Sequence, residues 1–220
     1  MKVMLENRNS TDKIKGILFL CVKRLADIFT SCISLVLLSP LLLFISILIK
    51  VEDKGKVFFS HPRVGYHNEK IKVYKFRSMK ETDLNLQEIL SQEEYKEYLK
   101  EFKLDNDPRR TKVGSILRNT SLDELPQLLN ILKGDMSLVG PRPIIEEEFV
   151  NYTEIEKEKL LSVKPGLTGY WQAYARNNAS YQTGERQRME LYYVDHASIK
   201  LDVKILFKTV QTVITREGAK

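Results

Sequence analysis

The chain has 220 residues, and its 35 Lys and Arg against 29 Asp and Glu give a net charge of +6. This length suits one domain plus an appendage, and the basic balance favours phosphate-bearing partners such as anionic lipid, nucleotide or nucleic acid without choosing among them. Two cysteines, Cys21 and Cys32, and three scattered histidines exclude a disulfide framework and a zinc centre built from these residues. No glycine-rich dinucleotide motif or Walker-type loop is present.

The first element is an almost continuously apolar segment from Leu25 to Ile49. Some twenty apolar residues can cross a bilayer as a helix, and a cleaved signal peptide fits poorly because the stretch is too long and begins too late. Ser39-Pro40 interrupts the middle, because proline removes a helical hydrogen bond and clashes with the preceding turn. Basic residues flank both ends: Lys13, Lys15, Lys23 and Arg24 before it, Lys50, Lys54 and Lys56 after it.

A spanning helix places its basic excess on one side of the membrane. We therefore expect a re-entrant membrane helix over residues 23–50, bent at Ser39-Pro40, with a kinked span as the alternative. An N-terminal segment of residues 1–22 precedes this helix, and residues 51–220 are expected to form one cytoplasmic domain.

The predicted fold of that domain is mixed α/β and mainly helical. Residues 56–60 and 71–76 are strand-like and flank a turn containing Pro, Gly and Asn, which predicts a small β-hairpin. The remaining pattern predicts helices over residues 84–103, 112–118, from about 121 to 132, and 145–163, with loops over 133–143 and 164–172.

The last predicted helix is amphipathic. Its apolar stripe runs through Val203, Leu206, Phe207, Val210, Val213 and Ile214, and lysines recur at Lys200, Lys204 and Lys208. Such a helix can lie at a membrane surface, or its stripe can pack on the core while the lysines are solvated. Both interpretations stay open, although the fold class that we predict includes interfacial amphipathic helices.

The octapeptide TSLDELPQ at residues 120–127 carries two adjacent carboxylates, Asp123 and Glu124. Ser121 and Glu124 fit a capping box at a helix start, so the motif has a purely structural interpretation. Pro126 lacks the N–H that a helix interior needs, which favours a helix start nearer Asp123 and weakens the capping box.

Seven arginines lie mainly in the predicted loops of the same domain as Asp123 and Glu124. They are Arg63, Arg77, Arg109, Arg110, Arg118, Arg142 and Arg176. The guanidinium fork suits phosphate oxygens, and two carboxylates can hold Mg²⁺, which takes few protein oxygens and keeps phosphate ligands. A carboxylate can also attack phosphorus. These residues predict a membrane-bound enzyme that handles phosphate groups.

The motifs as a set resemble the bacterial sugar transferases, the monotopic polyprenyl-phosphate phosphoglycosyl transferases in their minimal catalytic form. The resemblance runs from about Lys23 to the C-terminus. It rests on KRLAD (23–27), Ser39-Pro40, RVG (63–65), YKFRSM (74–79), the stretch DPRRTKVGSILRNTSLDELPQLLNILKGDMSLVGPRP (107–143), KPGLTGYWQ (164–172), ARN (175–177) and YYVD (192–195).

This resemblance implies transfer of a sugar-1-phosphate from a UDP-sugar to polyprenyl (undecaprenyl) phosphate, giving polyprenyl diphosphate sugar and UMP. It implies that Asp123 is the nucleophile, that Glu124 completes a dyad and that Mg²⁺ sits at the two carboxylates. Arg118 and Arg142 would offset phosphate charge.

Four further residues enter the candidate site through the resemblance. Arg176 matches a family arginine near the nucleotide. Lys75 and Arg77 match the KFR motif, and either could be structural. Asp195 could support the site indirectly or serve only the fold.

The implied partners are the UDP-sugar, polyprenyl phosphate and membrane lipids, without nucleic acid, and a homodimer stays open. The implied location is the cytoplasmic face of the bacterial inner membrane, at the first membrane step of glycan synthesis. Two rivals remain, namely a non-catalytic basic module that binds the membrane, and a hydrolase of nucleotide sugars or lipid phosphates. The sequence leaves the identity of the sugar undetermined.

Overall fold

A computed structural model of the chain describes residues 10–80, 85–101, 104, 107–175 and 179–215. It begins with helix α1 (Ser10–Asp53), which carries Pro40 in its interior. The part from Ile14 to Asp53 is long and apolar enough to cross a membrane. The Oγ of Ser39 donates to the carbonyl of Val36 at 2.8 Å, as expected for a hydroxyl beside a helical proline.

Beyond α1 the fold is mainly helical, with two small sheets. The strands are β1 (Phe58–Val64), β2 (Lys70–Phe76), β3 (Ser137–Val139) and β4 (Gly166–Thr168). The helices are α2 (Leu86–Ile89), α3 (Gln92–Glu101), α4 (Lys112–Thr120), α5 (Gln127–Lys133), α6 (Glu154–Leu160), α7 (Tyr170–Tyr174), α8 (Glu185–His196) and α9 (Ile199–Thr215). Single 3₁₀ segments cover Tyr66–Asn68, Leu122–Glu124 and Glu146–Asn151.

The predicted hairpin is confirmed, because β1 and β2 pair antiparallel with Phe58 opposite Phe76. The loops predicted over 133–143 and 164–172 contain a second sheet, in which β3 and β4 run parallel. Here the backbones approach so closely that a Cβ added to Gly166 would lie 2.1 Å from the backbone nitrogen of Gly140. Only glycine fits at this contact.

Two parts of α1 contact the same globular body. About one third of the way along the helix, Arg24 donates to the carbonyls of Ile131 (2.5 Å) and Leu132 (2.8 Å) at the end of α5. Near its end, Ile45 and Ile49 are in a buried cluster with Phe76 and Leu117. The apolar side chains between these two contacts are largely exposed.

Several predicted helices are shorter than expected. The charged segment 145–163 forms a 3₁₀ segment followed by α6, and the described part of 84–103 forms α2 and α3. The helix predicted over 112–118 is confirmed as α4.

The apolar stripe of α9 is divided between two environments. Leu206 is partly buried against the main core cluster, whereas Val203, Phe207, Val210 and Val213 are exposed. The residue of α9 that fills the core is Ile205, which is fully buried. Packing on the core therefore accounts for only part of the stripe, and its contact with a membrane surface stays a prediction.

Candidate active site

The two carboxylates of TSLDELPQ lie in a 3₁₀ turn between α4 and α5. Ser121 caps the C-terminal end of α4, and its φ of 58°, in the left-handed region, turns the chain away from the helix. The turn Leu122–Glu124 follows, and Pro126 caps α5 with a helical φ of −61°. Ser121 makes no side-chain capping bond, so the capping box is absent, as Pro126 had suggested.

Lys75 of β2 lies against both carboxylates. Its Nζ is 2.7 Å from Oε1 of Glu124 and 4.0 Å from Oδ2 of Asp123. The Asp123 side chain is 9% exposed and that of Glu124 is 28% exposed. Lys75 therefore places one positive charge against two adjacent carboxylates.

Arg118, on the last turn of α4, provides a second cation near Asp123. Its Nε donates to Oγ of Ser78 at 3.0 Å. Burial lowers the pKa of Arg118, and the negative charge of Asp123 opposes that shift. The predicted proximity of Arg118 to the nucleophile candidate thus agrees with the structure.

A cleft of about 310 Å³ opens beside the turn. Lys75 and Glu124 line it together with Arg63 and Arg142, whereas Asp123 is not among the described lining residues although its neighbours Leu122 and Glu124 are. The pKa of Arg63 falls to about 10, first through burial and then through repulsion by Arg142. Two guanidinium groups that repel each other beside one cleft favour an anionic ligand there.

A buried set of charges supports Arg142 from behind. Glu190 is 1% exposed, and its Oε2 accepts the backbone N–H of Arg142 at 3.1 Å. Glu148 is 2% exposed and accepts from the hydroxyl of Tyr181 at 3.1 Å. Burial alone would lower the pKa of Arg142, but Glu148 and Glu124 raise it above its usual value.

Arg186 completes this buried set, and its guanidinium lies 4.0 Å from Glu148. The same group stacks 4.1 Å from the ring centroid of Trp171 and 3.9 Å from that of Tyr181. Trp171 also lines the cleft. The side of the cleft that carries Arg142 is therefore stabilised by both ionic and aromatic contacts.

Arg118 contacts Ser78 and is not among the described residues that line the cleft, and two further predicted site residues, Arg77 and Asp195, lie outside it as well. Arg77 is 6% exposed and pairs with Asp53 at the end of α1, which indicates a role in attaching that helix. Asp195 is exposed and pairs with Lys159 at 2.7 Å. Arg176 lies outside the described residues.

The two carboxylates of the turn are candidate ligands for Mg²⁺. No group of three or more His, Cys, Asp or Glu side chains suited to a metal occurs within the described ranges. Mg²⁺ often binds through one or two carboxylates and completes its shell with water and phosphate oxygens. Asp123 and Glu124 fit that pattern, provided that Lys75 yields part of its contact with them.

Sequence reasoning did not assign site roles to Arg63, Glu148, Arg186 or Glu190. Arg63 carried a signal, since it stood among the loop arginines and in the RVG motif. The other three lie in charged helical segments whose ordinary interpretation is a solvated face. Only the tertiary fold brings residues 63, 148 and 186–190 together.

Comparison with known proteins identifies close relatives. Residues 18–216 match the family model described as bacterial sugar transferase. The chain is 44% identical over 200 residues to the exopolysaccharide production protein ExoY of Sinorhizobium fredii, covering 90% of this chain and 87% of that protein.

It is also 44% identical over 204 residues to the undecaprenyl-phosphate galactose phosphotransferase of Salmonella typhimurium, covering 90% of this chain and 41% of that protein. A sugar transferase of Haemophilus influenzae is 40% identical over 223 residues, with 99% of this chain and 45% of that protein covered. The chain thus spans less than half the length of the Salmonella and Haemophilus relatives. From the family match and these identities, the chain belongs to the bacterial sugar transferase family, and the prediction of a transferase enzyme is confirmed.

Proposed function

We propose that this protein transfers a sugar-1-phosphate from a UDP-sugar to polyprenyl phosphate, giving polyprenyl diphosphate sugar and UMP. The relative from Salmonella is named for galactose phosphate transfer to undecaprenyl phosphate. A relative from Aeromonas hydrophila is named for the same transfer with N-acetylgalactosamine. The reaction would be the first membrane step of a surface glycan.

One observation carries the proposal. A buried aspartate and its neighbouring glutamate share Lys75, and the cleft beside them is lined by Arg63 and Arg142. Both substrates of the proposed reaction are phosphate anions, so cations must suppress their repulsion from a carboxylate nucleophile before attack. A module that merely binds a membrane surface needs no such pairing of carboxylates and cations.

The resemblance assigns the attack to Asp123. Its Oδ would bond to the β-phosphorus of the UDP-sugar, while the bond from that phosphorus to the bridging oxygen breaks and UMP leaves with the electron pair. An oxygen of polyprenyl phosphate would then attack the same phosphorus, and the Oδ–P bond breaks to restore the carboxylate. Lys75 contacts both acids, so an incoming phosphate that draws Lys75 away would also uncover Asp123.

Asp123 and Glu124 are the residues that would hold Mg²⁺. Bound there, the ion would neutralise phosphate charge and help to align the donor. Arg142 would bind phosphate oxygens through its fork, with its backbone fixed by Glu190.

We also propose that α1 is re-entrant. A straight helix from Arg24 to Ile49 would extend about 37 Å, more than the roughly 30 Å of a hydrocarbon core. A perpendicular span would separate Arg24 and Ile49 by a membrane thickness, yet both residues contact one globular body. Entry and exit on the same face would keep the cleft at the membrane surface, where a lipid phosphate and a soluble nucleotide sugar can meet.

Cysteine labelling in intact cells tests this topology. Cys21 and Cys32 are first replaced by serine, and Arg8→Cys is introduced before α1. We expect no reaction with a membrane-impermeant maleimide until the cells are opened. Labelling of intact cells would mean that the helix spans the membrane.

The transfer itself is tested in detergent with Mg²⁺, polyprenyl phosphate and a panel that starts with UDP-galactose and UDP-N-acetylgalactosamine. Without lipid we expect a burst of about one UMP per enzyme, and with lipid we expect continuous release. Continuous release without lipid would identify a hydrolase. No release with any donor in the panel would favour a binding module.

A further inference from the structure

The cleft is lined by two chemically different groups of side chains. Lys75, Glu124 and the two arginines Arg63 and Arg142 form the charged group. The second group is aliphatic, and helix α9 contributes one face to it. Its members are Leu122, Leu125, Leu138, Leu167, Leu206, Val210 and Val213. We call this set the aliphatic wall.

The hydroxyl groups beside the aliphatic wall already have protein partners. The Oγ1 atoms of Thr209 and Thr168 lie 2.7 Å apart, and Oγ1 of Thr212 donates to the carbonyl of Ala173 at 3.2 Å. A sugar or a uracil ring needs polar partners for its own groups. The face of α9 therefore suits an apolar ligand, whereas two buried polar atoms of the lining that lack a hydrogen-bond partner, Nε1 of Trp171 and Oε1 of Gln172, lie on α7.

The aliphatic wall reaches the surface on the side that carries the membrane helix. Val210 is 58% exposed and Val213 is 41% exposed, although both line the cleft. Leu206 of α9 and Leu35 of α1 pack against the same buried cluster. Leu122 and Leu125 lie beside Glu124 in the turn, so a chain on this wall would have one end near the cations and would leave the cleft past Val210 and Val213.

We propose that the aliphatic wall binds the first isoprene units of the acceptor, with the phosphate of that lipid beside Lys75 and Arg142. This inference rests on the proposed function and deepens it by assigning the acceptor a place in the cleft. A cleft of about 310 Å³ is at the small end of ligand sites, so the rest of a long polyprenyl chain leaves past Val210 and Val213 into the bilayer.

The test uses two substitutions at Val210 and one matched control. Val210→Trp fills the wall, and Val210→Thr adds a hydroxyl at nearly constant volume. The control is Val203→Trp, because Val203 lies two turns earlier on the same helix edge and is similarly exposed (44%). Val203 is not among the described residues that line the cleft.

Val210→Trp should raise KM for polyprenyl phosphate by about 10-fold or more and Val210→Thr by less. The lipid-independent burst of UMP and KM for the UDP-sugar should stay within about twofold of the wild type, and Val203→Trp should change none of these. An equal rise with Val203→Trp would assign the effect to membrane contact and overturn the proposal. An equal loss of donor binding in Val210→Trp would overturn it as well.

Photo-crosslinking of the lipid needs no turnover, so it tests lipid binding at the aliphatic wall separately from the proposed reaction. Polyprenyl phosphate with a diazirine on its first isoprene units should, on illumination, label peptides from 199–215, and Val210→Trp should lose that label. If labelling occurs but no sugar phosphate is transferred, the proposed reaction is wrong while lipid binding at the aliphatic wall is supported. If the label falls on other peptides, lipid binding at the aliphatic wall is wrong, whatever the reaction is.

Discussion

Two pairs of acidic residues meet cations in opposite ways. Asp123 and Glu124 lie in a turn at the edge of the cleft and share one flexible lysine. Glu148 and Glu190 are almost fully buried behind Arg142, among Arg63, Arg186 and aromatic rings. The first pair can exchange its lysine for a ligand, whereas the second is committed to protein groups. The comparison teaches that the two pairs differ in their partners and in their access: one shares a single lysine and reaches the described lining of the cleft through Glu124, and the other lies behind it among arginines.

The largest effect should come from the turn itself. Asp123→Asn keeps the side-chain volume but removes the nucleophilic oxygen, so kcat should fall on the order of 10³-fold or more. The lipid-independent UMP burst and any trapped phosphosugar adduct should vanish with it. Thermal unfolding is the control, since the fold should persist. Near-normal turnover would show that Asp123 is not the nucleophile.

Arg142→Lys should have the next largest effect. Lysine keeps the charge but loses the bidentate fork, so kcat/KM for the UDP-sugar should fall by about 100-fold. Arg109→Lys is the matched control, because Arg109 pairs with Asp107 and is absent from the described lining of the cleft. Equal losses in both variants would argue against a specific phosphate contact at Arg142.

Glu148→Gln should act mainly on stability. It removes a buried negative charge facing Arg63 at 3.9 Å and Arg186 at 4.0 Å, which should lower the free energy of unfolding by about 3 kcal/mol. Denaturant unfolding in detergent measures the change, with the exposed neighbour variant Glu147→Gln as the control. If both variants unfold like the wild type, the buried charges around Glu148 do not stabilise the fold.

Glu190 should make stability depend on pH. Burial raises the pKa of Glu190 to about 7, against the opposing effect of Arg186 and Arg142. The folded state then holds a proton that the unfolded state has released, so this stabilisation is present below the unfolded value and is lost as pH rises through about 7. Between pH 6 and pH 8 the loss should be on the order of 1 kcal/mol.

The difference between wild type and Glu190→Gln isolates that contribution, because other titrating groups are common to both. The variant should lose less stability over the same pH interval. Parallel curves for the two proteins would mean that Glu190 keeps an ordinary pKa in the folded protein.

The smallest effect should come from Asp195→Asn. Asp195 is in an exposed ion pair with Lys159, and such pairs contribute roughly 0–1 kcal/mol. Activity should stay within about twofold of the wild type and the free energy of unfolding within about 0.5 kcal/mol. A large loss of activity would return Asp195 to the site that the resemblance assigned to it.

Local chemistry explains what could be predicted from the sequence. The hairpin followed from alternating strand residues around a turn, and Pro126 correctly argued against the Ser121 capping box. Strands β3 and β4 were missed because three residues are too few to display a period. The sequence left a structural role open for Arg77 and could not name its partner, because Asp53 lies at the end of α1. The buried set around Glu148 joins residues 63 to 190, and only the tertiary fold brings them together.

The contact between Arg24 and α5 has a practical consequence for protein production. The last carbonyls of a helix need hydrogen-bond donors. In α5 the guanidinium of Arg24 donates to the carbonyls of Ile131 and Leu132. The carboxylate of Asp27 likewise accepts the backbone N–H of Leu138 in β3. Deleting α1 to obtain a water-soluble domain would therefore remove hydrogen bonds from the helix that follows the turn of Asp123 and Glu124. The membrane segment is better treated as part of the folded domain than as a removable tag.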